Sequence, residues 1–278
     1  MTTPITPPCP AGHSEHRQVP TFTETLLRSK RHDHAVVIPV INEGERIRAL
    51  LSGMDEMGIA DIADVIVVDG GSSDGSLAEQ FLRDHGVTAL LVKTGPGKLG
   101  AQLRCAYAFC LDAGYQGIVT IDGNNKDDPA PIASFIDSLK RGVDFVQASR
   151  FIAGGVAVNT PVARHFAIRL IHAPLLSLFS GFGWTDTTQG FRAYSRALLM
   201  DPRINPFRDV FQGYELLAYL SYRAPRLGFR CQELPTTRRY PEGEVPTKIS
   251  SFRGNLQIMR VLLAAICGRY NPPTERQP

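Results

Sequence analysis

Several things are missing from this chain, and each absence removes a class of explanation. Its five cysteines, Cys9, Cys105, Cys110, Cys231 and Cys267, are odd in number and show no CxxC spacing, which argues against a disulfide framework or a structural zinc site and favours a reduced compartment. His32, His34, His85, His165 and His172 form no metal-spaced pair, and HExxH does not occur. Neither sign of charge dominates: 30 basic against 27 acidic residues leaves +3, too balanced for a general nucleic-acid binder, so any basic patch is local. The opening MTTPITPPCPAGHSEH lacks the cationic start and apolar run of a signal peptide, which points to the cytoplasm. No stretch reaches the roughly 18 uninterrupted apolar residues of a spanning helix. The nearest, 165–184, is interrupted by Arg169, His172 and Pro174, and suits either a core helix pair or one lying at a membrane interface. Glycine-rich phosphate loops are missing too: IPVINEGE contains no GxGxxG, and there is no Walker pattern.

What is present is the composition of an ordinary globular protein, 278 residues with 43% hydrophobic and 21% charged. Residues 1–20 hold five prolines and few large apolar side chains and read as a flexible leader, whereas 21–278 reads as a single domain because no Gly/Ser/Pro linker divides it. From His34 onward, apolar runs alternate with helical periodicity: AVVIPV, a helix over 43–57, DVIVVD, a helix over 76–85, VTALLVK, a helix over 99–113, GIVTID, a helix over 131–141, then VDFVQAS. Strands that are apolar throughout belong to a parallel sheet covered on both faces, so the fold class is α/β. Right-handed crossovers place the carboxyl ends of such strands along one edge, where ligands of open α/β sheets bind. After Phe151 the alternation fades into GG, an apolar helical stretch, the turn-like DTTQGFRAYS, and helices near 215–223 and 254–267.

Three polar clusters fall directly after three expected strands: Pro39-Val40-Ile41-Asn42-Glu43, Asp69 through Gly75, and Asp122-Gly123-Asn124-Asn125-Lys126-Asp127-Asp128-Pro129. Strand-end carboxylates accept hydrogen bonds from a nucleobase or ribose, and glycines let a ligand approach the backbone. Taken singly, Asn42 and Ser76 fit equally well as helix caps, and Asp69-Gly70-Gly71 as a plain turn. Their joint placement on one edge is what suits a nucleoside.

In order and spacing these clusters resemble the family 2 glycosyltransferases of the GT-A fold, with P-x-x-N-E after the first strand, V-D-x-G-S-x-D after the second and a D-x-D-like motif after the fourth. Within that family the chain is most similar to dolichyl-phosphate mannose synthases and bacterial polyprenyl-phosphate glycosyltransferases, through GKLGAQLRCAY at 97–107, ASRFIAGG at 148–155 and DTTQGFRAYSRALL at 186–199. The resemblance covers about 34–250. It implies a Rossmann-like, mostly parallel sheet flanked by helices, with 34–150 as a nucleotide-sugar-binding half and 151–270 as an acceptor-side extension.

Carried over residue by residue, the resemblance places the nucleoside against Pro39, Glu43, Asp69 and Asp74, with Lys98 nearby, and a Mg²⁺ or Mn²⁺ ion bridging the diphosphate on Asp122 and Asn124. It puts Arg150, Arg164, Gln189 and Arg192 on the acceptor side, and Arg239 and Lys248 on a loop over the donor diphosphate. The implied reaction is an inverting transfer from a nucleoside diphosphate sugar to a polyprenyl phosphate at the inner membrane face, with 165–184 and a membrane-protein partner giving contact with the bilayer. A phosphate acceptor is already ionised; a soluble hydroxyl acceptor would need a base, for which Asp186 or Glu215 are the candidates, though each fits equally as a structural carboxylate. Two departures stand out: Asn124 replaces the second carboxylate, and Lys126 stands where these synthases often carry Gln. Lys126 therefore either supplies part of the diphosphate neutralisation, weakening metal dependence, or faces solvent or an Asp127 or Asp128 partner. The Q-x-x-R-W element of processive synthases is absent, which favours single transfer. More remote readings are a sugar-phosphate nucleotidyltransferase, disfavoured by the lack of G-x-G-x-R, and a non-catalytic nucleotide-sugar binder.

Overall fold

The computed structural model describes residues 17–242 and 252–273. In chain order the elements are β1 (Phe22–Leu26), β2 (His34–Val40), α1 (Glu45–Glu56), β3 (Asp64–Asp69), α2 (Glu79–Asp84), β4 (Val87–Lys93), α3 (Leu99–Asp112), β5 (Gly117–Thr120), α4 (Ile132–Lys140), β6 (Phe145–Ser149), β7 (Val156–Val158), α5 (Val162–Ala167), α6 (Ala173–Ser180), β8 (Arg192–Ser195), α7 (Arg196–Met200), α8 (Glu215–Arg226), β9 (Cys231–Pro235), β10 (Thr237–Arg239) and α9 (Phe252–Ile266). Eight strands make one sheet in the order β1-β4-β3-β2-β5-β8-β6-β9, and β7 pairs with β10 in a small second sheet.

The five apolar runs all become strands, and their alternation explains how one sheet serves two cores. On β2, Ala35 and Val37 enter one core beside α3 and α8 residues, while Val36, Ile38 and Val40 enter the other beside α1 and α4. Successive side chains of a strand point to opposite faces, so a run apolar at every position is the pattern for a sheet covered on both sides. β2, β3, β4 and β5 pair in parallel register, which brings Val40, Asp69 and the residues after Thr120 to the same edge.

Three expectations need correction. The last residues of the supposed leader are docked: Arg17 donates to Asp112 Oδ1 at 2.8 Å, its guanidinium lies 4.9 Å from the Phe207 ring centroid, and the Gln18 amide donates to Phe207 O. Residues 22–26 then form an antiparallel edge strand on β4, whose half-exposed FTETL gave no apolar signal. The FRAYS stretch, read as a turn, contains β8, antiparallel between β5 and β6. That strand is short and begins with a fully buried arginine, so apolar periodicity could not announce it. Arg192 is accommodated because its guanidinium donates to the carbonyls of Gln189, Leu217 and Thr187 and to Ser221 Oγ. A buried charge is tolerated only when its donors are satisfied in this way.

The apolar stretch near 165–184 is neither a core helix nor a pair. It is one helical run, Val162–Ser180, in which a π-helical turn over Ile168–His172 joins α5 to α6. Among the described residues it is the one helix long and apolar enough to cross a membrane, yet only 17% of its apolar window is buried. Val162, Phe166, Leu170 and Leu178 are 56–77% exposed and, with Pro174 between them, form a ridge at four-residue spacing.

Candidate donor and acceptor site

The first two strand ends are laced together. Asn42 has φ 49°, in the left-handed region that Asn tolerates better than most residues, and its amide donates to Ser72 Oγ while its Oδ1 accepts from the Ser73 amide. Asp69, almost buried, accepts from the Ser72 amide with both oxygens and from Ser72 Oγ at 2.6 Å. Asp74 accepts from Ser76 Oγ at 2.7 Å and from the Gly44 amide at 2.8 Å; the Ser76 bonds foremost hold its carboxyl below the usual range. This spends Ser76 on the turn, and α2 accordingly starts at Glu79 without a side-chain cap. Glu43 is nearly buried and bonds Arg46. Gln102 of α3 fastens the same edge from below, donating to Val40 O at 2.8 Å and Val68 O at 3.1 Å. The expected nucleoside residues Pro39, Glu43, Asp69 and Asp74 therefore do sit on one edge; Lys98 is exposed at the start of α3, its amide bonded to Gln212 O.

The third cluster is tied to β10. Asp128 donates its amide to Thr237 O, Arg239 donates to Lys126 O, and Asp127 bridges Arg238. Asp122 lies half-buried with its Oδ2 3.4 Å from both Nη1 and Nη2 of Arg238, and Arg238 also donates to buried Asp127. Gly190 faces the other oxygen: a Cβ there would lie 2.1 Å from Asp122 Oδ1. Lys126 is turned inward, 7% exposed, with Nζ 5.0 Å from the Tyr240 ring centroid. Burial and then Arg238 lower its pKa. Arg238 itself lies with Cζ 5.7 Å from the same centroid, and Arg164 of α5 donates to the Tyr240 hydroxyl at 3.1 Å. Burial pushes the Tyr240 phenol up, but Arg238, Arg164 and Arg150 outweigh it and its pKa falls below the usual value. Burial works against charge on Arg238, yet Asp127 and Asp122 prevail and raise its pKa; burial pushes Asp127 up to about 6 against the pull of Arg238.

The arginine that faces Asp122 is thus Arg238, whereas the side chain of Arg239 is exposed; Lys248 lies outside the described residues. In a strand, neighbouring side chains point to opposite faces, and the run Arg238-Arg239 alone could not say which turns inward.

On the acceptor side, Arg150 is fully enclosed and grips Asp186 with Nε at 2.7 Å and Nη2 at 3.1 Å. Asp186 also accepts from Gln189 Nε2 at 2.7 Å, and despite burial, Arg150 and these bonds hold its pKa down. Glu233 of β9 closes the same knot, accepting from the Thr185 amide and hydroxyl and from the Asp186 amide. Asp186 is therefore the counter-ion of Arg150, with Gln189 also bonded to it, and Arg192 is occupied by the carbonyls of Gln189, Leu217 and Thr187. Nη1 of Arg150 is buried and has no hydrogen-bond partner among the described residues. Glu215, at the start of α8, accepts from the Gly213 amide. Beside this knot a cavity of about 620 Å³ opens between the 162–180 helix, α8 and α9, lined by apolar groups such as Ile168, Leu176, Leu217 and Leu262, with Arg164, Thr188 and Tyr214 at polar positions. Arg164 lines this cavity and bonds Tyr240, whose ring faces Lys126, so the cavity adjoins the 122–128 edge. Burial first, then the charge of Asp122, raises the Tyr214 phenol pKa.

The donor groups for a divalent ion are sparse. Asp122 offers Oδ1, its Oδ2 facing Arg238; Asn124 offers a neutral oxygen that accepts from the Lys126 amide at 3.2 Å; and no cluster of three His, Cys, Asp or Glu occurs among the described residues. Hard cations favour several oxygen ligands and negative charge. With two cations already turned in, these residues do not fit a resident ion.

Comparison with known proteins agrees with the architecture. Residues 35–201 match the glycosyl transferase family 2 model. The chain is 30% identical to the dolichyl-phosphate hexose transferase of Haloferax volcanii, over 81% of this chain and 90% of that protein. It is 26% identical to glycosyltransferase AglJ of the same organism and 25% identical to the dolichol-phosphate mannosyltransferase of Pyrococcus furiosus, spanning 61% and 49% of their lengths. Among solved structures, glucosyl-3-phosphoglycerate synthase from Mycobacterium tuberculosis, in complex with Mn²⁺, UDP and glucosyl-3-phosphoglycerate, superposes with a TM-score of 0.57 at 20% identity, covering 87% of this chain and 81% of that one. The fold is GT-A, and the chain belongs to glycosyl transferase family 2. That family is one of glycosyltransferases.

Proposed function

We propose that the enzyme transfers one sugar, with inversion, from a nucleoside diphosphate sugar to a polyprenyl phosphate presented at a membrane surface. The observation that carries this reading is the cavity under the 162–180 helix: a largely apolar volume lined also by Arg192, whose guanidinium is taken up by carbonyls, and by Arg164, which is bonded to Tyr240 at the donor edge. A prenyl chain suits the apolar part, and a phosphate suits Arg164 with the buried Nη1 of Arg150. The relatives named as dolichyl-phosphate transferases support the same acceptor class.

The chemistry then needs alignment more than proton transfer. A phosphate oxygen, ionised at neutral pH, attacks the anomeric carbon from the side opposite the departing diphosphate; the new oxygen–carbon bond forms as the carbon–oxygen bond to the β-phosphate breaks, and the nucleoside diphosphate leaves with the electron pair. Lys126 and Arg238 stabilise the charge that accumulates on it. No general base is required, in keeping with Asp186 held as the counter-ion of Arg150. The exposed ridge of the 162–180 helix would meet the bilayer or a membrane-protein partner, which supports a peripheral enzyme, here taken to act at the cytoplasmic face.

The test follows nucleoside diphosphate release and organic-extractable sugar over a panel of donors, with and without a short polyprenyl phosphate. Lipid-dependent release with extractable sugar is expected. Release indifferent to the lipid would overturn the acceptor assignment in favour of a soluble acceptor, such as the phosphoglyceric acid found with the mycobacterial structures.

A further inference from the structure

In the donor site the D-x-D position has a guanidinium on its carboxylate. Both terminal nitrogens of Arg238 lie 3.4 Å from Asp122 Oδ2, and the backbone bonds between 126–128 and β10 hold that arginine in place. Lys126 is turned inward beside it over the Tyr240 ring, and the residue at the second ligand position is the neutral Asn124. Three changes thus run in one direction: a carboxylate is missing, an ammonium is added, and a guanidinium covers an oxygen that an ion would use. A nucleoside diphosphate is the ligand whose charge matches this arrangement. Its phosphate oxygens accept from guanidinium and ammonium groups, whereas a divalent cation meets two like charges and little opposing charge.

We propose that Arg238, together with Lys126, takes the place of the divalent cation, so that this chain binds the nucleoside diphosphate part of its donor without a metal ion. The inference rests on the donor-site reading above and concerns how that site neutralises charge. Asp127 is the positioning residue in it: buried and paired with Arg238, it aims the guanidinium along the Asp122 edge.

The experiment is calorimetric titration of the full chain with UDP and with GDP, once in EDTA and once in MnCl₂. For the nucleotide that binds, the dissociation constants in the two buffers are expected to agree within about threefold. Lys126→Gln and Arg238→Gln should each weaken binding in EDTA by about tenfold or more, the loss of a charge-assisted bond. Since Arg238→Gln strands buried Asp127, the pair Arg238→Gln/Asp127→Asn is measured alongside and should show the same loss. Asn124→Asp/Lys126→Gln should create manganese binding, read directly as loss of the free Mn²⁺ signal in electron paramagnetic resonance. Binding by the wild type only when Mn²⁺ is present would overturn the inference while leaving the donor site intact. So would unchanged affinity in EDTA for the Lys126 and Arg238 variants. Failure of both nucleotides to bind in either buffer would sink the inference by removing the donor-site reading beneath it.

Discussion

The two halves of this enzyme are held together by different physics. From His34 to Ser149 the sheet is built from side chains such as Val37, Ile66, Val67, Ile118 and Val146, all essentially fully buried, with most polar residues at the strand ends and Gln147 and Arg104 as buried exceptions. Beyond Arg150, buried charge does much of the organising: Arg150 with Asp186, Arg192 on three carbonyls, Glu233 on the 185–186 turn. Apolar packing is forgiving of exchange among similar side chains, whereas a buried ion pair fails when one partner is removed. The first half, proposed to bind the donor, should therefore lose stability in proportion to volume removed, and the second, proposed to bind the acceptor, in proportion to charge stranded.

The largest effect tests that contrast directly. Asp186→Ala leaves the Arg150 guanidinium buried without its counter-ion and should cost about 3–5 kcal/mol in chemical denaturation. The double variant Arg150→Met/Asp186→Leu should recover most of that stability, though not activity. Phe135→Ala in the donor half, where the ring stacks on Phe191 at 4.3 Å, should cost a similar ~3–5 kcal/mol, but as a cavity that only a large apolar side chain refills. If the ionic double variant is no more stable than Asp186→Ala, the contrast fails.

The next effect crosses the boundary between the halves. Gly190 belongs to the second half, yet a Cβ there would press on Asp122 Oδ1 at 2.1 Å. Gly190→Ala should push Asp122 and the guanidinium facing it out of line, lowering kcat/KM about 100-fold with little change in unfolding midpoint, since misplacement of about 1 Å is enough. An active Gly190→Ala enzyme would mean that Asp122 moves freely and does not set the geometry.

The same contrast explains what could be read from the sequence. Strands, crossover helices and the three strand-end clusters were legible because an all-apolar run such as DVIVVD has few structural alternatives, and because turn chemistry at Asn42 and Asp69 is local. β8 was not, since RAYS begins with a charge whose partners lie 3, 5, 25 and 29 residues away. Nor was β1, whose exposed edge needs no apolar pattern. Among the residues around these strand ends, the sequence singled out Asp122, Lys126, Arg150 and Arg164 but passed over Arg238 and Gln102. Both act through long-range contacts, Arg238 across the bridge to Asp127 and Gln102 on two strand-end carbonyls, and only the fold reveals these. A cue for Gln102 was present: a polar residue on an otherwise buried helix face.

A smaller effect sharpens the acceptor side. Leu170, 68% exposed in the middle of the 162–180 ridge, contributes little to folding. If it enters a bilayer, it contributes about 1.5–3 kcal/mol to membrane binding, so Leu170→Glu should reduce transfer to vesicle-embedded polyprenyl phosphate about tenfold or more. Transfer to a short, detergent-dispersed polyprenyl phosphate should be unaffected. Equal losses in both assays would place Leu170 within the catalytic cavity and not at its outer face.

A further effect lies in the response to pH, where the carboxylates of the two halves should act in opposite directions. Asp186 has its pKa held down in the folded protein, so its stabilisation is present above the unfolded value near 3.8 and is lost as pH falls through the lower folded value. Asp127 is the reverse case. Its folded pKa, about 6, lies above the unfolded 3.8, so its protonated form favours the native state and that contribution, full below about pH 4, is lost as pH rises through about 6. Between these values the unfolding free energy should therefore carry a downward component with rising pH that belongs to Asp127. Asp127→Asn, which keeps the neutral amide shape at every pH, should remove that component whatever its offset in absolute stability, while Glu45→Gln on the exposed start of α1 should leave it in place. A slope between pH 4 and 6 identical in wild type and Asp127→Asn would show that Arg238 keeps Asp127 ionised throughout, and that the donor half shares the ionic logic of the acceptor half.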